Sequence, residues 1–316
     1  MADGAHAGRF PSPDDLVLKP SREPLASDDI DQLRASTAHL VRLDGESGGT
    51  ALVPVAARAF REASARLAAG NVPSSLEADC TATVAELGEV AAWLAFDAGQ
   101  HGRARRLSSA ALRLARRAGD TSMELFLLGN LALMEQETGR ARDALRTVEL
   151  VERLPLSPRV RIMTALRRAR ATASLGDERA AELLHRARTE VGSSVRSTDP
   201  AWAWWVDLRE VTHHEAGVWS ALGRPDRAVD CYAAALDAAP DDYPWASYLA
   251  AAHLVSVLVE VRSWAEAERA AAQVAALATG VRSARASARL RDAALAARRS
   301  RAPGGLDDLL IAFASR

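Results

Sequence analysis

The chain has 316 residues, 48% of them apolar but only 5% aromatic, and Ala, Leu and Arg dominate without strand-type runs, the balance of an all-helical protein of one large or two ordinary domains. The formal net charge of −1 sums 40 basic and 41 acidic residues that are interspersed, which excludes a general basic field for a nucleic-acid backbone. Cys80 and Cys231 are too far apart in sequence to suggest a disulfide framework or zinc knuckle, and no run approaches the roughly 18 apolar residues of a membrane span, so a reducing cytoplasm is expected.

Residues 1–26 carry four prolines, several charges and no periodic apolar face, and are expected to form a flexible N-terminal tail. Within them MADGAHAGRF lacks the apolar segment of a signal peptide. Lys19 is the only lysine, so the arginine excess reads as base composition rather than phosphate recognition. Ser27 is placed to cap a helix through Ile30, Leu33, Leu40 and Leu43, with Asp28, Asp29 and Asp31 in its first turn, and DGESGG at 44–49 ends it. Residues 50–69 set Val53, Ala56, Ala57, Phe60, Ala63 and Leu67 on one helical face. These two helices are expected to form an antiparallel hairpin. Ser74 with Glu77 fits a capping box for a long helix to Ala98 that contains Trp93 and Phe96. Thr121 with Glu124, Ser157 before Pro158, and Asp199 before Pro200 mark further helix starts.

A repeat register runs through this series. Gly99, Gly139, Gly176 and Gly223 each end a helix, and alanine follows five residues later at Ala104, Ala144, Ala181 and Ala228. Arg262 and Ala267 continue the pattern with the glycine lost, and successive turns are 40, 37, 47 and 39 residues apart. Residues 211–240 form the clearest unit, with Trp219 in its first helix, the Gly223 turn, Ala228, Tyr232 and Ala235 on the second, and Pro240 at the end. This unit resembles a tetratricopeptide (TPR) repeat, although the spacing exceeds the roughly 34 residues of a regular one. The expected fold is therefore all-α, a right-handed superhelix of irregular TPR-like helical hairpins, an α-solenoid, over residues 27–300. Residues 301–316, with Leu306, Leu309, Leu310 and Phe313 in one stripe, are expected to be a C-terminal capping helix. An inhibitory segment entering the groove is the competing reading.

In LRASTAHLVRLDGESGG, VAAWLAFDAGQHGRARRL and MELFLLGNLALMEQETGRARDALR the chain resembles the C-terminal TPR-like sensor region of bacterial helix-turn-helix (XRE-type) transcriptional regulators, over roughly residues 27–300. In that family a DNA-binding domain precedes the repeats. Here the 26 preceding residues are too short and proline-rich for one. The resemblance thus implies a sensor or partner-binding module, with no direct nucleic-acid binding expected.

TPR arrays bind with the first helix of each pair, which places Trp93, Asn130, Arg167, Arg170, Glu210, His213 and His253 on a concave channel. In related sensors side-chain amides hold a peptide backbone, and Asn130 is the amide that the register turns toward the channel. Arg167 and Arg170, three apart, are set to clamp a carboxylate or phosphate; the alternative is a solvated arginine face. Tryptophan concentrates between Trp202 and Trp264, and AWAWW at 201–205 cannot turn every ring inward, which nominates Trp202 and Trp205 as contacts. His213, His214 and Glu215 diverge around a helix and do not make a metal site, while Glu215 stands where TPR units carry leucine. No nucleophile elbow, phosphate loop or Cys/His pair occurs.

The sequence thus points to a non-enzymatic, cofactor-free cytoplasmic regulator that binds a peptide or protein partner in its concave groove and modulates transcription, with a homodimer as one form it can take. Two rivals are a DNA-associated regulator acting directly, which requires salt-dependent duplex binding, and a small-molecule receptor or enzyme using the Trp-rich end as a pocket.

Overall fold

The computed structural model describes residues 16–18, 25–70, 72–192, 197–239, 243–306 and 313. Among the described residues there are thirteen α-helices, one 3-10 helix and no strand. In chain order the helices are α1 (Ser27–Ser47), α2 (Val53–Ala68), α3 (Glu77–Asp97), α4 (His101–Ala118), α5 (Thr121–Glu137), α6 (Ala141–Val151) and α7 (Pro158–Ala173). They continue as α8 (Ala180–Val191), the 3-10 helix (Ala201–Trp205), α9 (Leu208–Ala221), α10 (Pro225–Asp237), α11 (Pro244–Glu260), α12 (Trp264–Leu277) and α13 (Ala284–Arg299). No described helix is long and apolar enough to cross a membrane.

The fold is an all-α solenoid of TPR-like hairpins. Helices α3 and α4, α5 and α6, α7 and α8, α9 and α10, and α11 and α12 pack as pairs, and α3, α5, α7 and α9 lie successively side by side. The two helices of a pair carry different patterns for a physical reason. The second helix has one dry face, as α6 does with Ala141, Ala144, Thr147, Val148 and Val151. The first is covered on its partner side and on the inner side, so α11 buries residues around its whole circumference, from Trp245 and Ala246 to Leu258 and Val259.

The turn register is confirmed in backbone geometry. Gly99, Gly139, Gly176 and Gly223 all have positive φ, between 69° and 78°, and Arg262 adopts φ 60° at the place where the glycine is lost. A non-glycine residue there costs about 1 kcal/mol, so the repeat geometry overrides the local preference of Arg262. Ala104, Ala144, Ala228 and Ala267 are fully buried five residues after their turns. At the third turn Ala180 is the buried alanine and Ala181 only half-buried, a shift of one residue. The long spacing that follows is filled by the 3-10 helix inserted before α9.

Several start signals move. Asp120 caps α5 by accepting the Met123 N–H at 2.9 Å, ahead of Thr121. α3 begins after Leu76 rather than Ser74, and Ser157 holds the cap position of α7 without a capping bond. α1 starts after Ala26, whose N–H donates to Asp29 Oδ2 at 2.9 Å, so Ser27 is its first helical residue. Asp199–Pro200 opens the 3-10 helix, and α9 is capped instead by Asp207, which accepts the Glu210 N–H at 2.8 Å. Instead of pairing closely with each other, α1 and α2 both pack on α3, joined by the Arg66–Asp29 ion pair at 2.7 Å.

The described part of residues 1–26 departs from a flexible tail. Leu16, Val17, Leu18 and Leu25 are buried in one core with α1, α2 and α3. The rest of the first 24 residues lies outside the described residues. At the other end Leu306 and Phe313 are buried against α11, α12 and α13, while Leu309, Leu310 and the Pro240 terminator lie outside the described residues.

The two ends of the array meet. α1 packs against α11 and α3 against α13. The Arg282 N–H donates to the Ser47 carbonyl at 2.8 Å, and the Thr50 hydroxyl donates to the Arg282 carbonyl at 3.2 Å. Gly48 makes this approach possible. Its φ is +80°, and a β-carbon there would overlap the Arg282 carbonyl.

Candidate functional site: the inner face of the array

The first helices of the pairs bring six of the nominated residues toward one interior. Asn130, Arg167, Arg170 and His253 are buried, and Glu210 and His213 half-buried. They are also engaged with one another and with neighbours. Asn130 Nδ2 donates to Glu89 Oε1 at 2.8 Å, so the amide nominated for a peptide backbone is held by a carboxylate of α3. Burial pushes Glu89 up to about 7, against the pull of that hydrogen bond.

Arg167 Nη1 lies 2.6 Å from His214 Nε2, which also lies 3.0 Å from Glu210 Oε1. Burial pulls His214 down to about 4 against the opposing effect of Glu210, so its ring is neutral at pH 7. A neutral Nε2 cannot accept and donate together. Because a guanidinium only donates, Nε2 accepts from Arg167 and the proton sits on Nδ1, which has no hydrogen-bond partner. Arg209 Nη2 supplies Glu210 Oε2 at 3.4 Å. The pair Arg167 and Arg170 is thus divided: Arg167 belongs to this cluster, whereas Arg170 lies against α9 and reaches Gln136 Oε1 at 3.5 Å.

His213, His253 and Tyr232 form a ring cluster, with His253 stacked on Tyr232 at 5.0 Å and His213 edge-on to both at 5.3 and 5.2 Å. Burial lowers both histidines well below their usual range, keeping them neutral. Glu215 points elsewhere. It pairs with Arg188 of α8 at 2.9 Å, which explains a carboxylate in a usual leucine column.

Trp93 belongs to the closure of the two ends. Its Nε1 donates to Asp44 Oδ2 at 3.1 Å, and its ring meets Trp245 edge-on at 5.9 Å. The Arg285 guanidinium carbon sits 5.4, 4.9 and 5.5 Å from the Trp93, Phe96 and Trp245 rings. Beside it Asp97 accepts from the Ser283 hydroxyl at 2.7 Å. Burial, reinforced by the Asp97 charge, raises Asp44 to about 8. None of Asp44, Asp97 or Arg285 was singled out from sequence. They lie at helix ends far apart in the chain, and only the meeting of α1, α3, α11 and α13 assembles them.

The tryptophans of the 3-10 helix are placed differently from expectation. Trp202 stacks on Phe126 at 4.5 Å and its Nε1 donates to Ser122 at 3.0 Å, while Trp205 packs near Phe126 and Arg167. Trp204 is the exposed ring, 58% accessible, edge-on to Tyr243. Arg159 Nη1 fastens the segment by donating to the Ala203 and Trp204 carbonyls at 3.2 and 2.9 Å. The crowding of AWAWW thus leaves Trp204 outward, because Trp202 and Trp205, three apart on one side of the 3-10 helix, both turn to Phe126.

A cavity of about 680 Å³ opens where the C-terminal ends of α3, α5 and α7 face α13. Phe96, Gln136, Arg170 and Arg289 are among its walls. This lies within the roughly 300–1,000 Å³ of small-ligand pockets.

No protein-family model and no curated protein matches the sequence. Among solved structures the chain is similar to a Rap protein complexed with competence and sporulation factor, at TM-score 0.51 and 11% identity over 92% of this chain and 90% of that one. It also aligns with a STAND protein with a tetratricopeptide repeat sensor from Pyrococcus horikoshii, at TM-score 0.47 and 12% identity over 90% of this chain and 43% of that one. A third alignment is with the TPR domain of P58(IPK), at TM-score 0.27 and 15% identity over 91% and 76% of the two chains. The Rap likeness is one of fold. It agrees with the paired-helix array, and carries no residue-level correspondence.

Proposed function

We propose that this chain is a non-enzymatic TPR-like regulator that binds a peptide or protein segment at its inner face and thereby alters a partner acting in transcription. The observation that carries the reading is the cavity at the ends of α3, α5 and α7, the open part of an inner face otherwise filled by its own side chains. A Rap protein of the same fold has been solved complexed with competence and sporulation factor, which supports a bound guest for an array of this kind. The link to transcription rests on the resemblance of residues 27–300 to the sensor region of XRE-type regulators. The 680 Å³ volume suits a short segment rather than a whole domain. Within this reading the chain acts in the cytoplasm without binding DNA itself, and Leu306 and Phe313 mark a C-terminal cap over the last helices. Pull-down on the full chain followed by mass spectrometry tests it. Recovery of one partner, lost when a side chain of the cavity wall is enlarged, is the expected result; reproducible recovery of none would overturn it.

A further inference from the structure

The cavity has a chemical bias that its size does not reveal. Five arginines border it, Arg140, Arg142, Arg170, Arg285 and Arg289, against the carboxylates Glu137, Asp143 and Asp292. Two of the three acids are already paired: Glu137 Oε2 with Arg285 Nη1 at 3.4 Å, and Asp143 with Arg146 at 2.6 Å. The arginines are only partly matched: Arg140 pairs with Glu135 at 3.1 Å and Arg285 with Glu137 and, at 3.8 Å, with Asp97, but Arg140 Nε, Arg170 Nε and Arg285 Nε are buried atoms without a hydrogen-bond partner beside the same space. Arg142 and Arg289 stand exposed at the rim. Buried guanidinium donors left unmatched are costly, so their concentration at one opening marks a place where acceptors arrive from outside.

The size of the cavity narrows the kind of acceptor. The C-terminal ends of α3, α5 and α7 and the first residues of α4, α6 and α13 all line it, so the helix dipoles there favour neither sign and the arginine side chains set the charge. At about 680 Å³ it is far larger than a single phosphate. A peptide segment fills that space and brings several side-chain or terminal carboxylates to the separate planar guanidinium forks. We infer that the cavity between α13 and the ends of α3, α5 and α7 is a binding site for a short acidic peptide segment, its carboxylates held by Arg170, Arg285 and Arg289. This rests on the partner-binding reading above and specifies the guest's charge.

The test uses the full chain and three probes at low ionic strength: a fluorescein-labelled tetraglutamate peptide, its tetraglutamine counterpart, and inorganic phosphate as competitor. The glutamate peptide is expected to bind saturably, at least about tenfold tighter than the glutamine peptide, with phosphate failing to displace it. The rim variants Arg142→Ser and Arg289→Ser, both at exposed positions, together weaken it about tenfold with the helical circular dichroism unchanged. Asp292→Asn tightens it. Equal binding of both peptides, displacement by phosphate, or indifference to the rim variants would each overturn the acidic-peptide site. If a partner is recovered from pull-down while the glutamate peptide fails to bind, the acid preference falls and the partner-binding reading stands. If neither binds, both fall.

Discussion

The guanidinium of Arg170, on α7, occupies the space that a β-carbon at Gly217 of α9 would need. Gly217 is buried in the middle of α9, where glycine is otherwise a poor helix former. Its presence follows from the arginine that crosses it. Gly217→Ala is therefore expected to lower stability by about 1–3 kcal/mol despite the better helix propensity of alanine. Combining it with Arg170→Ala should cost less than the sum of the two changes, because the clash disappears with the side chain. Urea midpoints of the single and double variants measure the coupling, and strict additivity would refute the contact.

Asp44 predicts a pH signature. Its carboxyl titrates near 8 in the fold against 3.8 for a free side chain. Between those values the folded state holds a proton that the unfolded state has released, so the stability associated with this group is complete below about pH 4 and declines as pH rises toward 8. Asp44→Asn retains an acceptor for Trp93 Nε1 and removes the titration. The variant's melting temperature should gain on the parent as pH goes from 4 to 8. A constant difference across that range would contradict the assignment.

Asn130 separates a structural role from a peptide-clamping one. Its amide is committed to Glu89 at 2.8 Å. Asn130→Ala leaves a fully enclosed carboxyl without its donor, and an expected loss of about 1–3 kcal/mol follows. Thermal melts read this directly. Undiminished stability combined with lost partner binding would instead return Asn130 to the role the sequence suggested.

Removing residues 1–18 tests whether the chain before α1 belongs to the core. Leu16, Val17 and Leu18 are buried with α1, α2 and α3. Full burial of one such side chain contributes about 1.5–3 kcal/mol. The truncated chain should therefore unfold at a visibly lower denaturant concentration. Unchanged unfolding would mean that these residues contribute nothing to the core.

The repeat architecture was readable because it is written in local rules: a left-handed turn at Gly99, Gly139, Gly176 and Gly223, and an alanine where two helices approach. Even Arg262 followed the register without its glycine. The interior was less readable. Nominating Arg167 and Arg170 from their spacing gave no hint that one would engage His214 and the other cross Gly217, since those partners lie on α9. AWAWW showed that a ring would face outward but not that it would be Trp204, since the Phe126 on which Trp202 and Trp205 pack lies on α5. Leu16–Leu18 escaped notice because three residues are too few to show periodicity, and their burial depends on the surface of the first three helices.

The bond between Arg282 and Ser47 joins positions near opposite ends of the chain. Open arrays of this architecture can lengthen or shorten by copying a unit, since each unit answers only to its neighbours. Here an added or lost hairpin would carry Arg282 away from Ser47 and separate Trp93 from Trp245. The closure acts as a ruler: it is met by an array of this length, and one hairpin more or fewer would break it.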